Sequence, residues 1–369
     1  MIQRVIGSVI GSVLGRAIRP AASGESPRCT RDDGSPVLPS GARELGAALL
    51  ALLLLGAGAC RPGAERAAPG AEPDEAAAEG TAQPLETSAA GDLSPEEHEA
   101  EVEAWREERL AGLTSDDGWL TLVGLHWLPE GETTVGSAEG SGVRLPASTP
   151  ARVGTLARAD GTVRLDLAPG VEATAGGERF AGGELASDAT EEPTVVELGT
   201  VSFYPIERGE KLGLRVKDTA SPARSAFAGI PAYPVDPRWR VAARFEPYDP
   251  PREVGIPDVT GNVQDMVSPG AVLFAAGGET RRLEALDGGD ELFLIFADGT
   301  SGDATYGAGR YLYAPKPDDA GRLVVDFNRA YNPPCAFTAY ATCPLPPKGN
   351  RLPLPVEAGE KLPAGIEVH

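Results

Sequence analysis

Glycine and proline punctuate this chain too often for long helices to persist in it. Its 369 residues include 46 Gly and 34 Pro. Proline removes a backbone donor and clashes with the preceding helical turn, and glycine is the residue most costly to order. Such a chain either stays disordered in places or folds as many short strands joined by tight turns.

Charge narrows the function. Lys and Arg total 33 against 54 Asp and Glu, a net charge of −21. Non-specific nucleic-acid binding needs net positive surface, so that class is excluded. Three His and four Cys leave little material for a metal cage, and no metal or cofactor is expected. There is no Gly-x-Ser-x-Gly nucleophile elbow and no Gly-x-x-x-x-Gly-Lys phosphate loop.

The front end predicts the compartment. Gly46 to Ala59 reads GAALLALLLLGAGA, too short to span a ~30 Å hydrocarbon core but suited to a signal-peptide core. Ala57-Gly58-Ala59 directly precedes Cys60, which resembles a bacterial lipobox, where the cysteine carries the lipid and becomes the mature N-terminus. The expectation is an extracytoplasmic protein, lipid-anchored to the bacterial cell envelope at Cys60. Residues 1–59 are then signal and upstream extension, and Met1–Gly41 points to a start codon read too early. Residues 60–92 are rich in Ala, Gly, Pro and Glu, with Leu85 their one large aliphatic. They cannot bury enough apolar surface to offset chain entropy and read as a disordered tether.

Residues 93–369 read as one β-rich domain with sub-halves of about 93–220 and 221–369. The predicted fold is mainly β, an antiparallel sandwich or barrel-like set of strands with one N-terminal helix. Ser94-Pro95-Glu96-Glu97 is a capping-box start, and the helix should run to about Ala111 with Val102, Trp105 and Arg109 on one side. The charges between them read as a solvated face. From Gly118 large residues alternate, and turn signals at Asp160-Gly161, Pro169-Gly170 and Gly176-Gly177 separate short strands. Ser221–Trp239 and Pro247–Pro269 read as proline-rich connectors.

The C-terminal third carries a distinctive string from Asp326-Phe-Asn328 through Tyr331-Asn332-Pro-Pro-Cys335 and Cys343 to Asn350-Arg-Leu, then Glu357-Ala-Gly359-Glu360. It resembles the uncharacterised bacterial family catalogued as domain of unknown function 1684. Gly118-Trp119-Leu120, Arg215-Val-Lys-Asp218, Asp236-Pro237-Arg238-Trp239 and Asp298-Gly-Thr300 through Arg310 agree with it. The resemblance runs from about Leu93 to Gly365. It implies lipoprotein members among others, and no activity. Gly131–Lys217 is similar in strand order to a forkhead-associated sandwich, but that fold's phosphopeptide-binding residues are absent, so only architecture carries over.

Two polar constellations are the candidate ligand-binding site. The first is Asp298, Thr300, Thr305, Tyr306 and Arg310; the second is Asp326, Asn328, Asn332 and Asn350. Each admits a bland reading, in which the groups cap turns and pair locally. Cys335 and Cys343 most simply form a disulfide in an exported protein. A thiol nucleophile would need a base, and the candidates are poor: His98 on the solvated face of the first helix, His126, and the terminal His369. The leading expectation is a membrane-anchored module binding a small polar ligand or an envelope partner, with Tyr306 and Tyr331 as pocket walls. The alternatives are a hydrolase using Asp298 and Asp326 as paired acid and base, and a structural envelope lipoprotein.

Overall fold

The computed structural model of the chain describes residues 93–363. Cys60, the signal and upstream stretch 1–59, the tether and His369 lie outside the described residues. Helix α1 spans Pro95–Leu113. It starts where the sequence places it, because the Ser94 hydroxyl accepts from the Glu97 N–H while the Glu97 carboxylate accepts from the Ser94 N–H. His98, Val102, Trp105 and Arg109 share one face at helical spacing. His98 is 3% exposed and Val102 is fully buried, so His98 is corrected from the solvated face to the packed one.

The first half is a sandwich. Its strands are β1 (Leu122–Trp127), β2 (Gly131–Gly136), β3 (Val143–Arg144), β4 (Gly154–Ala159), β5 (Thr162–Leu167), β6 (Ala173–Ala175), β7 (Glu178–Phe180), β8 (Gly183–Glu184), β9 (Val196–Leu198), β10 (Val201–Arg208) and β11 (Lys211–Asp218). One sheet runs β1-β11-β10-β9-β6-β7 and the other β3-β2-β4-β5-β8. Pairing is antiparallel except between β2 and β3. β5 shows why the sheets face each other: Val163 and Leu165 point inward while Thr162, Arg164 and Asp166 stay exposed. Phe203, Leu214 and Val216 meet Val135, Leu156 and Leu165 in one core. At the β4–β5 hairpin Asp160 and Gly161 both take positive φ, 50° and 76°, the backbone that an Asp-Gly turn supplies most readily.

The second half follows a short helical turn, α2 (Pro222–Ser225), and comprises β12 (Arg240–Pro257), β13 (Val263–Ala276), β14 (Glu279–Gly288), β15 (Glu291–Phe296), β16 (Arg310–Pro315) and β17 (Arg322–Asp326). They form one sheet in the order β16-β15-β14-β13-β12-β17. Its two edge strands come together, making it nearly a closed barrel around Phe274, Leu294, Phe296, Leu312, Val325 and Phe327.

The stretch Pro247–Pro269 corrects the sequence reading. It is the projecting arm of the β12–β13 hairpin rather than a connector. Pairing slips between Pro247 and Arg252 and then resumes from Arg252↔Ser268 to Pro257↔Val263. β12 pairs β17 only over Arg240–Arg244. From Pro247 to Ile256 no described strand pairs its outer edge, so Pro247, Pro250 and Pro251 cost no ladder hydrogen bond there. The arm's end lies against the C-terminal coil, where Val259 N–H donates to Cys343 C=O at 3.0 Å and Leu345 N–H to Pro257 C=O at 2.8 Å.

Candidate functional site

β15 ends at Phe296, and β16 opens opposite it with Arg310, so hairpin geometry brings Arg310 back to Asp298. Their Nη2···Oδ2 distance is 2.8 Å and both side chains are 0% exposed. The second carboxylate oxygen accepts from Thr300 N–H at 2.8 Å, Thr300 Oγ1 at 2.7 Å and Val356 N–H at 3.2 Å. Arg310 donates in turn to Val356 C=O at 2.9 Å and to the Ala358 carbonyl. The pair thus clasps the 356–360 segment to the barrel. Thr300 and Thr305 hydroxyls lie 2.8 Å apart, and Tyr306 donates to Cys335 C=O at 3.2 Å. Burial, with the neighbouring Cys335, pushes the Tyr306 phenol well above its ordinary range.

The second constellation is also spent on long-range contacts. Asn328 Oδ1 accepts from Asp236 N–H and its Nδ2 donates to Asp236 C=O, both at 2.9 Å. The side chain thereby imitates a strand partner for the 236 loop. Asn350 does the same between β14 and β15. Its Oδ1 accepts from Glu284 N–H at 2.7 Å and its Nδ2 donates to Glu284 and Ile295 C=O at 2.9 Å each. Asn332 donates from Nδ2 to Lys361 C=O at 2.8 Å and from its backbone to Glu360 Oε2 at 2.7 Å. Asp326 accepts from Asn328 N–H at 3.1 Å and from its Nδ2 at 2.9 Å, and its other oxygen lies 2.7 Å from His98 Nε2. The carboxylates of Asp298 and Asp326 share no partner.

Three residues outside the expected set complete the arrangement. His98 joins α1 to Asp326. Arg109 pairs with Glu360, donates to Asn332 C=O at 2.9 Å and lies 4.4 Å from the Tyr331 ring centroid. The available signal was the 98/102/105/109 helical spacing, with a polar side chain at each end of the apolar stripe. Beside Arg109 a cavity of about 10 Å³, lined by Leu113, Trp119, Tyr331 and Phe337 among others, has room for about one water. Tyr306 and Tyr331, expected as pocket walls, are each 4% exposed within the packing. No group of three or more His, Cys, Asp or Glu suited to a metal occurs among the described residues.

No bond joins Cys335 and Cys343 in this structure, where both are free thiols. They are nevertheless adjacent, with Cys335 N–H donating to Cys343 Sγ at 3.1 Å. Sequence spacing located the neighbours, while the geometry gives a hydrogen-bonded dithiol.

Fold and site together define a β-rich module in which buried polar side chains fasten loops, helix and C-terminal segment to a near-closed barrel. Residues 225–361 match the model of the family described as protein of unknown function (DUF1684), which supports the resemblance over that segment. A solution NMR structure of an uncharacterized protein from Haloarcula marismortui is similar over 37% of this chain and 78% of its own, at 31% identity and a TM-score of 0.33. No curated protein matches the chain.

Proposed function

We propose that the chain is an exported, lipid-anchored envelope protein whose folded part acts as a rigid scaffold for an envelope partner. Export and anchoring follow from the segment preceding Cys60. The scaffold reading rests on one observation: Arg310, Asn328 and Asn350 spend most of their polar groups on main chain brought in from elsewhere in the fold, and Asp298 spends its own on Arg310, Thr300 and the Val356 N–H. At this site a small polar ligand would need unspent groups around a hollow larger than the one beside Arg109. A paired-carboxylate hydrolase would need two free carboxylates facing one cleft. In the oxidising compartment that this reading implies, Cys335 and Cys343 are in position to join.

Cell fractionation with intact-mass analysis tests the anchor. Lipid mass on Cys60, and release of the protein into the soluble fraction by Cys60→Ala, are expected; an unmodified Cys60 in membrane fractions refutes it. Asn350→Ala tests the scaffold by losing thermal stability. An Asn350→Ala protein that melts like wild type, yet lacks a small molecule that native mass spectrometry finds on wild type, would restore the ligand-pocket reading.

A further inference from the structure

Cys335 and Cys343 differ in every property that governs thiol chemistry. Cys335 is the middle residue of a tight turn, Pro334–Ala336, capped by Pro333, and is half-buried, a few residues before the exposed Ala339 and Tyr340. Cys343 is 4% exposed, in a core with Ile256, Met266 and Tyr311. The Cys343 thiol hydrogen-bonds Cys335 and holds the latter below the ordinary thiol range, whereas burial pushes Cys343 well above it. Cys335 is therefore the more exposed residue of the two, and its thiol the more acidic. The other is sheltered and accepts a hydrogen bond from its neighbour's backbone N–H.

We propose that Cys335 and Cys343 are a thiol–disulfide exchange site, Cys335 attacking and Cys343 resolving, whose substrate class is small or peptide-borne disulfides. The Cys335 thiolate attacks one sulfur of an external disulfide R–S–S–R, forming a mixed disulfide and expelling RS⁻. Cys343 then loses its proton, and its thiolate attacks Cys335 Sγ, closing the Cys335–Cys343 bond and expelling the second RS⁻. Two electrons pass from the protein thiols to the external disulfide, and the two protons go to the released thiolates. Resolution then requires the 335–343 loop, whose Ala339 and Tyr340 are exposed, to bring the two sulfurs to bonding distance. This chemistry does not depend on the anchor or on the scaffold reading.

The test uses the full chain, reduced and kept native, with oxidised glutathione as the disulfide and peptide mapping to separate this pair from Cys29 and Cys60. Brief native alkylation with iodoacetamide should label Cys335 at least about tenfold faster than Cys343. Oxidised glutathione should close the Cys335–Cys343 bond in wild type, and dithiothreitol should reopen it without denaturant. Cys343→Ser should accumulate glutathione on Cys335, and Cys335→Ser should take up none at Cys343. Equal labelling of the two thiols, thiols that stay reduced in excess oxidised glutathione, or a bond that reopens only in denaturant would each overturn the proposal. The wild-type labelling ratio decides the matter even if a serine variant fails to fold.

Discussion

Arg310 and Asp298 lie at 0% exposure with their charges matched and their remaining donors and acceptors mostly satisfied. Removing one member strands the other in a dry interior. Arg310→Met is expected to cost about 3–5 kcal/mol, read by urea denaturation, since an uncompensated buried carboxylate cannot be rehydrated without opening the clasp. His126 gives the pH dependence. Burial depresses its imidazole below the ordinary 6.5, outweighing a hydrogen bond involving the Arg144 backbone. Between the folded pKa and 6.5 the unfolded chain binds more protons, so this contribution is whole above that window and lost as pH falls through it. Denaturation midpoints between about pH 5 and 7 should rise with pH less steeply in His126→Gln than in wild type.

At the scale of elements, α1 was legible because capping is local chemistry: Ser94, Pro95 and Glu97 specify a start whatever surrounds it. Ser94→Ala should cost about 1 kcal/mol and fray the first turn, loosening His98 from Asp326, as circular dichroism and calorimetry would report. The C-terminal segment depends on a backbone conformation instead. Gly359 has φ +78°, and a Cβ there would come 2.3 Å from Ala330 C=O. Gly359→Ala should therefore release the strap that carries Ala358 and Glu360 to Arg310 and Arg109. Protease cleavage after residue 350 at concentrations harmless to wild type is the expected readout. The β12–β13 arm was misread for the complementary reason. A proline-rich run looks like a connector unless one knows that its outer edge has no partner strand, which is a property of sheet order.

Over the whole molecule, the two halves meet at Thr342. Its hydroxyl accepts from Arg208 Nε at 2.8 Å, while Arg215 Nη2 lies 3.4 Å away, and both arginines come from the first sandwich. Thr342→Val keeps the shape and leaves those buried donors short of an acceptor, a loss of about 1–3 kcal/mol. Separate calorimetric transitions for the two halves in this variant, against one in wild type, would show that the contact couples them.

The chain's own order of residues determined the β-rich class, the turn positions, the helix start and the places where polar groups gather, because turn geometry, capping and apolar alternation act over a few neighbours. What those polar groups do was decided only in three dimensions. Asn328 serves Asp236, Asn350 serves Glu284 and Ile295, and His98 serves Asp326, partners that no short window contains. A buried amide or carboxylate must satisfy its hydrogen bonds wherever the fold supplies a mate. Whether such a residue faces a ligand or a distant strand is therefore settled by packing.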